Sequence, residues 1–320
     1  MDLFTPIIEE GSLHSNFVQT LDPASAGVRR IIQSWAEGFV DRDGKFVKEF
    51  QTTYNSGFWE IYLHAVLKHL RIDVDFTFSS PDFVASNKNI IIEATTANHA
   101  HDDVPEWEKT IKGVTTGNLF EISSQSAIRL SNAFDSKVKK YRKNYSTLSH
   151  VKGKPFIIGI SNFTRQDFNL QGDIAMQWLL YDVLKMRKIF KNNGTAVPLG
   201  LFNCESYSDI SGVLYSSLAT FGKARALSND AGGFIFKAVR IKDDSQLIPI
   251  TANKQDYKES LCDGLKLFVN PFAKYPLNIE DFNDPGIRIF ISDRNGKISA
   301  SCHPDGDLCM RFVQRIKSKS

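Results

Sequence analysis

At 320 residues the chain exceeds a typical single domain, yet mixed sheet-and-helix enzymes of this length often form one core with appended elements. A hydrophobic content of 42% with 24 Phe excludes a disordered chain, and no run of apolar residues is long enough to suggest a membrane span. The net charge of +3 is too small to draw nucleic acid to the whole surface, so any such affinity has to come from a local concentration of Lys and Arg.

Residues 1–48 read as an N-terminal helical arm, with a helix over Ser25 to Phe39 that ends near Gly38 and the polar turn Asp41-Arg42-Asp43-Gly44. From Gly57 to Leu70 the apolar residues Phe58, Trp59, Ile61, Leu63, Val66, Leu67 and Leu70 recur at spacings of three and four, which predicts an amphipathic helix carrying Glu60. Asp73–Phe78 alternates polar and apolar residues and Asn89–Ala94 holds three consecutive Ile; both predict strands, joined by a hairpin turn at Ser86–Asn89. A polar loop over Asn98–Trp107 leads to a helix over Glu121–Tyr145 and a buried strand over Pro155–Ser161.

A strongly apolar helix is expected over Ile174–Phe190 and a further strand over Ile210–Ser216. The tail offers strands at Leu265–Val269 and Gly286–Ile291, a hairpin at Asn295-Gly296, and a final helix over Leu308–Lys317. The expected organisation is the arm, a core over 49–245, and a β-rich C-terminal extension over 246–320 packed on that core. Its class is α/β, with a mixed central sheet flanked by helices.

The chemistry concentrates between residues 58 and 95. Side chains of a strand alternate between faces, so Glu93 and Thr95 project to the same side, and Asp82 on the neighbouring strand lies beside Glu93. Two converging carboxylates and the backbone carbonyl of Ala94 suit Mg²⁺, a hard ion that takes oxygen ligands and keeps several waters. An ion so held polarises a phosphodiester, activates water and stabilises charge on the phosphate, which is hydrolytic chemistry. Paired acids also serve glycoside hydrolysis, so an unrelated carbohydrate or small-molecule enzyme is a further reading, against which only the order of the strands argues.

Residues 49–163 resemble the PD-(D/E)XK nuclease superfamily, the fold of many restriction endonucleases. The likeness rests on Phe58-Trp-Glu-Ile-Tyr-Leu63 as the first-helix motif, Pro81-Asp82-Phe83 as the PD element and Ile90-Ile-Ile-Glu-Ala-Thr95 as the E-x-K strand. The helix with Lys137, Lys139, Lys140 and Tyr141 and the strand from Lys154 to Ile160 complete it. The resemblance implies a restriction-endonuclease-like fold and a Mg²⁺-dependent endonuclease acting on DNA, with Mn²⁺ as a substitute ion, in restriction or defence against foreign DNA. It maps Asp82 and Glu93 onto metal ligands and Glu60 onto the helix acid that joins the site. Thr95 stands where the family has Lys and offers no ammonium, so Lys88, Gln125 and Lys137 are candidates to replace it. Loss of cleavage is the alternative, leaving a catalytically inactive nucleic-acid-binding protein on the same fold.

The local concentration of cations is at 129–154, where Arg129, Lys137, Lys139, Lys140, Arg142 and Lys143, with Lys152 and Lys154, face only Asp135. Tyr141 and Tyr145 lie among them, so this stretch is the expected DNA surface, with RNA left open. A solvated helix face explains the same run equally well. Cutting both strands would suit a homodimer.

Other clusters carry less. His99, His101, Asp102 and Asp103 crowd one loop, where adjacent side chains rarely hold a metal, and Cys302, His303 and Cys309 offer too few donors for a structural zinc. The opening MDLFTPIIEEGSLH has acids where a secretory leader has bases, and four dispersed Cys form no dense framework, so the reducing cytoplasm is the expected location.

Overall fold

In a computed structural model, residues 1–100, 103–108, 118–185, 188–230, 233–243 and 245–316 are described. Short helices α1 (Ser15–Leu21), α2 (Ala26–Trp35) and α3 (Phe46–Thr52) precede the longer α4 (Tyr54–His69). The hairpin β1 (Phe83–Val84) and β2 (Ile91–Asn98) follows, then α5 (Leu119–Lys140), β3 (Phe156–Phe163), α6 (Ile174–Tyr181), β4 (Gly212–Ser216) and α7 (Phe221–Leu227). The remaining strands are β5 (Phe234–Ile241), β6 (Leu247–Asn253), β7 (Leu265–Val269), β8 (Ile287–Ser292), β9 (Ile298–Ala300) and β10 (Asp307–Arg315).

The central sheet has seven strands in the order β1-β2-β3-β4-β7-β8-β9. It is mixed: β2, β3 and β4 run parallel, β7 turns antiparallel to β4, and β1 and β9 close the edges antiparallel. Both faces are covered, which is why its inner strands read as continuous apolar runs and not as alternations. Ile92, Ile157, Leu214 and Leu267 pack into the layer built on α4, whereas Ile91, Ile158, Val213 and Phe268 pack into the layer built on α5 and α6. A smaller sheet, β10-β5-β6, lies apart from this one, with its own core around Leu218, Phe236, Tyr257 and Leu308.

Helix α4 is buried over most of its circumference because the aromatic arm covers one side and the sheet the other; Trp35 of α2 packs edge-on against Phe58 and Tyr62. On the sheet side Trp59 donates its indole N–H to the carbonyl of Gly159 at 3.1 Å. A Cβ at 159 would sit 2.8 Å from Leu63 Cδ1, so the glycine is what lets α4 close onto β3. Helix α5 starts at Asn118, whose side chain accepts from Phe120 N, and ends in Lys137, Lys139 and Lys140, the charge its C-terminal dipole favours.

Several expectations change. Asp73–Phe78 contributes only a single bridge, Val74 to Ala85, because Asp75 accepts from Thr77 and folds the segment into a turn. The apolar helix from Ile174 stops at Tyr181, where Asp182 takes a left-handed conformation and caps back to Trp178. Leu308–Arg315 is strand β10 and not a helix: its apolar residues pair along β5, and that pairing overrides a weak local pattern. The boundary at 245/246 falls inside the β5–β6 hairpin, and β7, β8 and β9 of the expected extension pair directly into the central sheet.

Candidate functional site

The acids meet at the β1 edge of the central sheet. Because Phe83 pairs with Ile92, the antiparallel register carries Asp82 opposite Glu93, on the same face. Asp82 Oδ2 accepts from the backbone N–H of Ala94 at 2.7 Å, which fixes the carboxylate one residue before the start of β1. A strand residue directs its N–H and C=O to the same side, so the Ala94 carbonyl also opens toward Asp82. The loop that delivers Asp82 is held from behind. Arg42 Nη1 donates to the carbonyls of Phe78 and Pro81 at 2.7 and 3.2 Å, and the His150 ring bonds the Ser80 carbonyl at 2.8 Å while stacking on Phe78.

Glu93 is fully buried, and two ammonium groups converge on its Oε1: Lys137 and Lys140, each at 2.8 Å. These lysines lie three residues apart on α5 and therefore share the face turned to β2. The helix then widens into a single π turn over Tyr141–Tyr145, which brings the Tyr145 hydroxyl to 3.4 Å from the same oxygen. Glu93 Oε2 is buried and has no hydrogen-bond partner among the described residues.

The charges act on one another. Burial pushes Asp82 up, the Glu93 charge adds to it, and its carboxyl reaches about 6 despite Lys137. Burial also raises Glu60, half-buried on α4, to about 8, with Asp82 and Glu93 contributing in the same direction and Arg42 opposing. Glu93 moves the other way: burial would raise it, but the ammoniums of Lys137 and Lys140 outweigh burial and hold it below the ordinary carboxylate range. Three carboxylates thus crowd a site where two of them are forced toward the neutral form.

That imbalance is what a divalent cation relieves. The donors are oxygens only, the orphaned Glu93 Oε2 stands free of the lysines that hold Oε1, and Asp82, Glu60 and the Ala94 carbonyl face the same region, a set that fits Mg²⁺ and gives Zn²⁺ no soft ligand.

The candidates for the missing cation separate by place. Lys137 is at the site. Lys88 is paired with Asp281 at 2.9 Å, and exposed Gln125 bonds Arg165 far along α5. Thr95 lies two residues beyond Glu93 on the same face, half-buried, and presents a hydroxyl in place of a charge. Lys140 and Tyr145, expected on the nucleic-acid surface, and Arg42, not singled out as a site residue, belong to the site. The spacing of Lys137 and Lys140 on one helix face was the available signal for Lys140 at the acids, and the basic stretch for Tyr145; Arg42 had none.

Several cations of the expected DNA surface make contacts within the chain while staying partly exposed. Arg129 donates to the carbonyls of Asn98 and His99, Lys139 pairs with Asp135 at 2.6 Å, and Arg142 forms a forked pair with Asp209. Tyr141 is buried against Phe156, and Lys143 is exposed. Of the loop cluster, His101 and Asp102 lie outside the described residues, and His99 packs against Trp107. A cavity of about 400 Å³ lies at the other end of α4, lined by Tyr54, Asn55, Glu106 and Phe163 and separate from Asp82 and Glu93. The acids sit at the β1 edge of the sheet, Asp82 and Glu60 half-buried and Glu93 fully buried.

All four cysteines are free, and among the described residues no helix is long and apolar enough to cross a membrane. Searches against family models, curated proteins and solved structures return no match.

Proposed function

We propose that the protein is a Mg²⁺-dependent endonuclease of the PD-(D/E)XK type that hydrolyses DNA phosphodiester bonds, with Lys137 standing in for the lysine that Thr95 replaces. The observation that supports it most is the convergence of Asp82, Glu93 and Glu60 with two lysines at the β1 edge of the central sheet. Asp82, Glu93 Oε2 and the Ala94 carbonyl would hold the ion, with Glu60 directly or through water. When bound, Mg²⁺ supplies Lewis-acid polarisation of the phosphate and a water of lowered pKa. Lys137 fixes the orientation of Glu93 and brings positive charge to the side where a phosphate would lie, the role the motif lysine has in the family. The Ala94 N–H aims Asp82 and offsets part of the burial that raises its carboxyl.

The second reading, a catalytically silent nucleic-acid-binding protein on the same fold, is favoured by one feature: both ammoniums are directed at the same glutamate oxygen, as in a structural ion cluster. Incubation of the protein with plasmid and single-stranded DNA across Mg²⁺ and Mn²⁺, beside Asp82→Ala, separates the two. Metal-dependent cleavage lost in Asp82→Ala supports the nuclease; salt-sensitive, metal-insensitive binding without cleavage supports the silent protein. A homodimer in a reducing cytoplasm fits both.

A further inference from the structure

The C-terminal end of α4 meets two segments remote from it in sequence. His69 in the last turn, Cys262 before β7 and Asp284 before β8 each offer one ligand atom, and these three atoms lie within 4.8 Å of one another. Asp284 Oδ2 is 2.8 Å from His69 Nε2, and its Oδ1 accepts from Gly286 N at 2.8 Å. Cys262 is buried with its thiol against the same carboxylate, while His69 is half-exposed.

The scaffold around them is fixed. Tyr62 of α4 donates its hydroxyl to the Leu261 carbonyl at 2.8 Å, tying the helix to the residue before the cysteine. A Cβ at Gly286 would stand 2.7 Å from Asp263 N and 2.9 Å from the Cys262 carbonyl carbon, so the Asp284 turn and the Cys262 turn touch through backbone. Only the half-exposed histidine has freedom to move. Donors about 2.0–2.3 Å from one tetrahedral ion stand roughly 3.3–3.8 Å apart, so the 2.8 Å His69–Asp284 contact has to open slightly and the widest separation, up to 4.8 Å, to close by on the order of 1 Å, which a rotation of His69 supplies.

We propose that His69, Cys262 and Asp284 form a binding site for a transition-metal dication of the Zn²⁺ class, distinct from the Mg²⁺ site at Asp82 and Glu93. One thiolate, one imidazole and one carboxylate are the donor set that Zn²⁺ and Co²⁺ take and that Mg²⁺ does not. A water completes the tetrahedron from the side on which His69 is exposed. Binding releases the Cys262 thiol proton to solvent and leaves the His69 proton on Nδ1. The bound ion joins the end of α4, the helix that carries Glu60, to the turns leading into β7 and β8. The site does not depend on the nuclease reading.

The test uses the full chain, freed of metal by a chelator and titrated with Co²⁺. The expected result is one equivalent bound with thiolate-to-cobalt charge-transfer absorption, displaced by Zn²⁺ and not by Mg²⁺. Cys262→Ser, close to isosteric, abolishes the charge-transfer signal, and His69→Gln weakens binding by ~100-fold or more, at least what loss of a supporting group costs such sites. Circular dichroism of the metal-free variants verifies that they fold. Cys302→Ser leaves the signal intact, and so does Asp82→Ala, which separates this site from the acidic one. No charge-transfer band, or a band that survives Cys262→Ser, overturns the proposal and leaves a hydrogen-bonded trio.

Discussion

Replacing Lys137 by Met tests whether an α5 lysine does the work that Thr95 cannot. The substitution keeps the length of the side chain and removes one of two ammoniums 2.8 Å from a carboxylate with no solvent exposure. Opposite charges about 4 Å apart attract by ~4 kcal/mol at the effective dielectric of a protein. Stripping one partner from a buried pair commonly costs ~3–5 kcal/mol. Here Lys140 remains on the same oxygen, itself 42% exposed and partly screened, so a net loss of about 2 kcal/mol is expected. Urea unfolding reads that loss.

The chemical effect should exceed the structural one. Removing a positioned charge from a phosphoryl-transfer site is expected to slow cleavage by ~10²–10³-fold, which Mg²⁺-dependent plasmid nicking measures under conditions where the variant is folded. Lys140→Met should cost less in rate, since its ammonium is more exposed. Adding Thr95→Lys to Lys137→Met returns an ammonium to the face of β2 that carries Glu93 and should restore part of the rate. Cleavage by Lys137→Met at the wild-type rate would refute the assignment of Lys137, whatever happened to stability.

Asp82→Ala should abolish metal-dependent cleavage, by more than ~10²-fold, with the unfolding transition retained; cleavage at an undiminished rate removes Asp82 from the metal set. The acids also predict a pH dependence. Glu60 and Asp82 bind protons more tightly folded than unfolded, so metal-free stability should fall as pH rises from the ordinary carboxylate range through about 6 and on to about 8, whereas Glu93, held low, acts only at more acidic pH. Mg²⁺ competes with those protons, so the rise in Tm on adding Mg²⁺ should be larger at pH 8 than at pH 6, and a shift equal at both would refute the charge balance drawn above. Arg42→Ala frees the Phe78 and Pro81 carbonyls and should cost about 1–3 kcal/mol and weaken Mg²⁺ binding, both read from melts with and without the ion. Lys143→Ala should lower the slope of log affinity for DNA against log salt by ~1, and an unchanged slope places the DNA elsewhere.

Sequence alone determined the local features: the helix around Glu60, an isoleucine-rich strand carrying Glu93, a turn at 86–89 before it, and the covered strand at 156–163. These follow from periodicity and turn chemistry, which act over a few residues. What a residue does once the chain is folded depends on partners far away in sequence. Lys88, Gln125 and Lys137 are equivalent candidates until α5 crosses β2 and leaves only Lys137 against Glu93, 44 residues away. Leu308–Arg315 becomes a strand because β5 is there to pair with it, and His69 meets Asp284 across 215 residues because the sheet brings β8 beneath the end of α4. Burial then sets the charge states: neighbouring residues in the chain do not reveal that Glu93 is sealed from water or that Asp82 and Glu60 are pushed toward their neutral forms. The acids were legible because their motif is local, whereas the cations that complete the site were decided by packing.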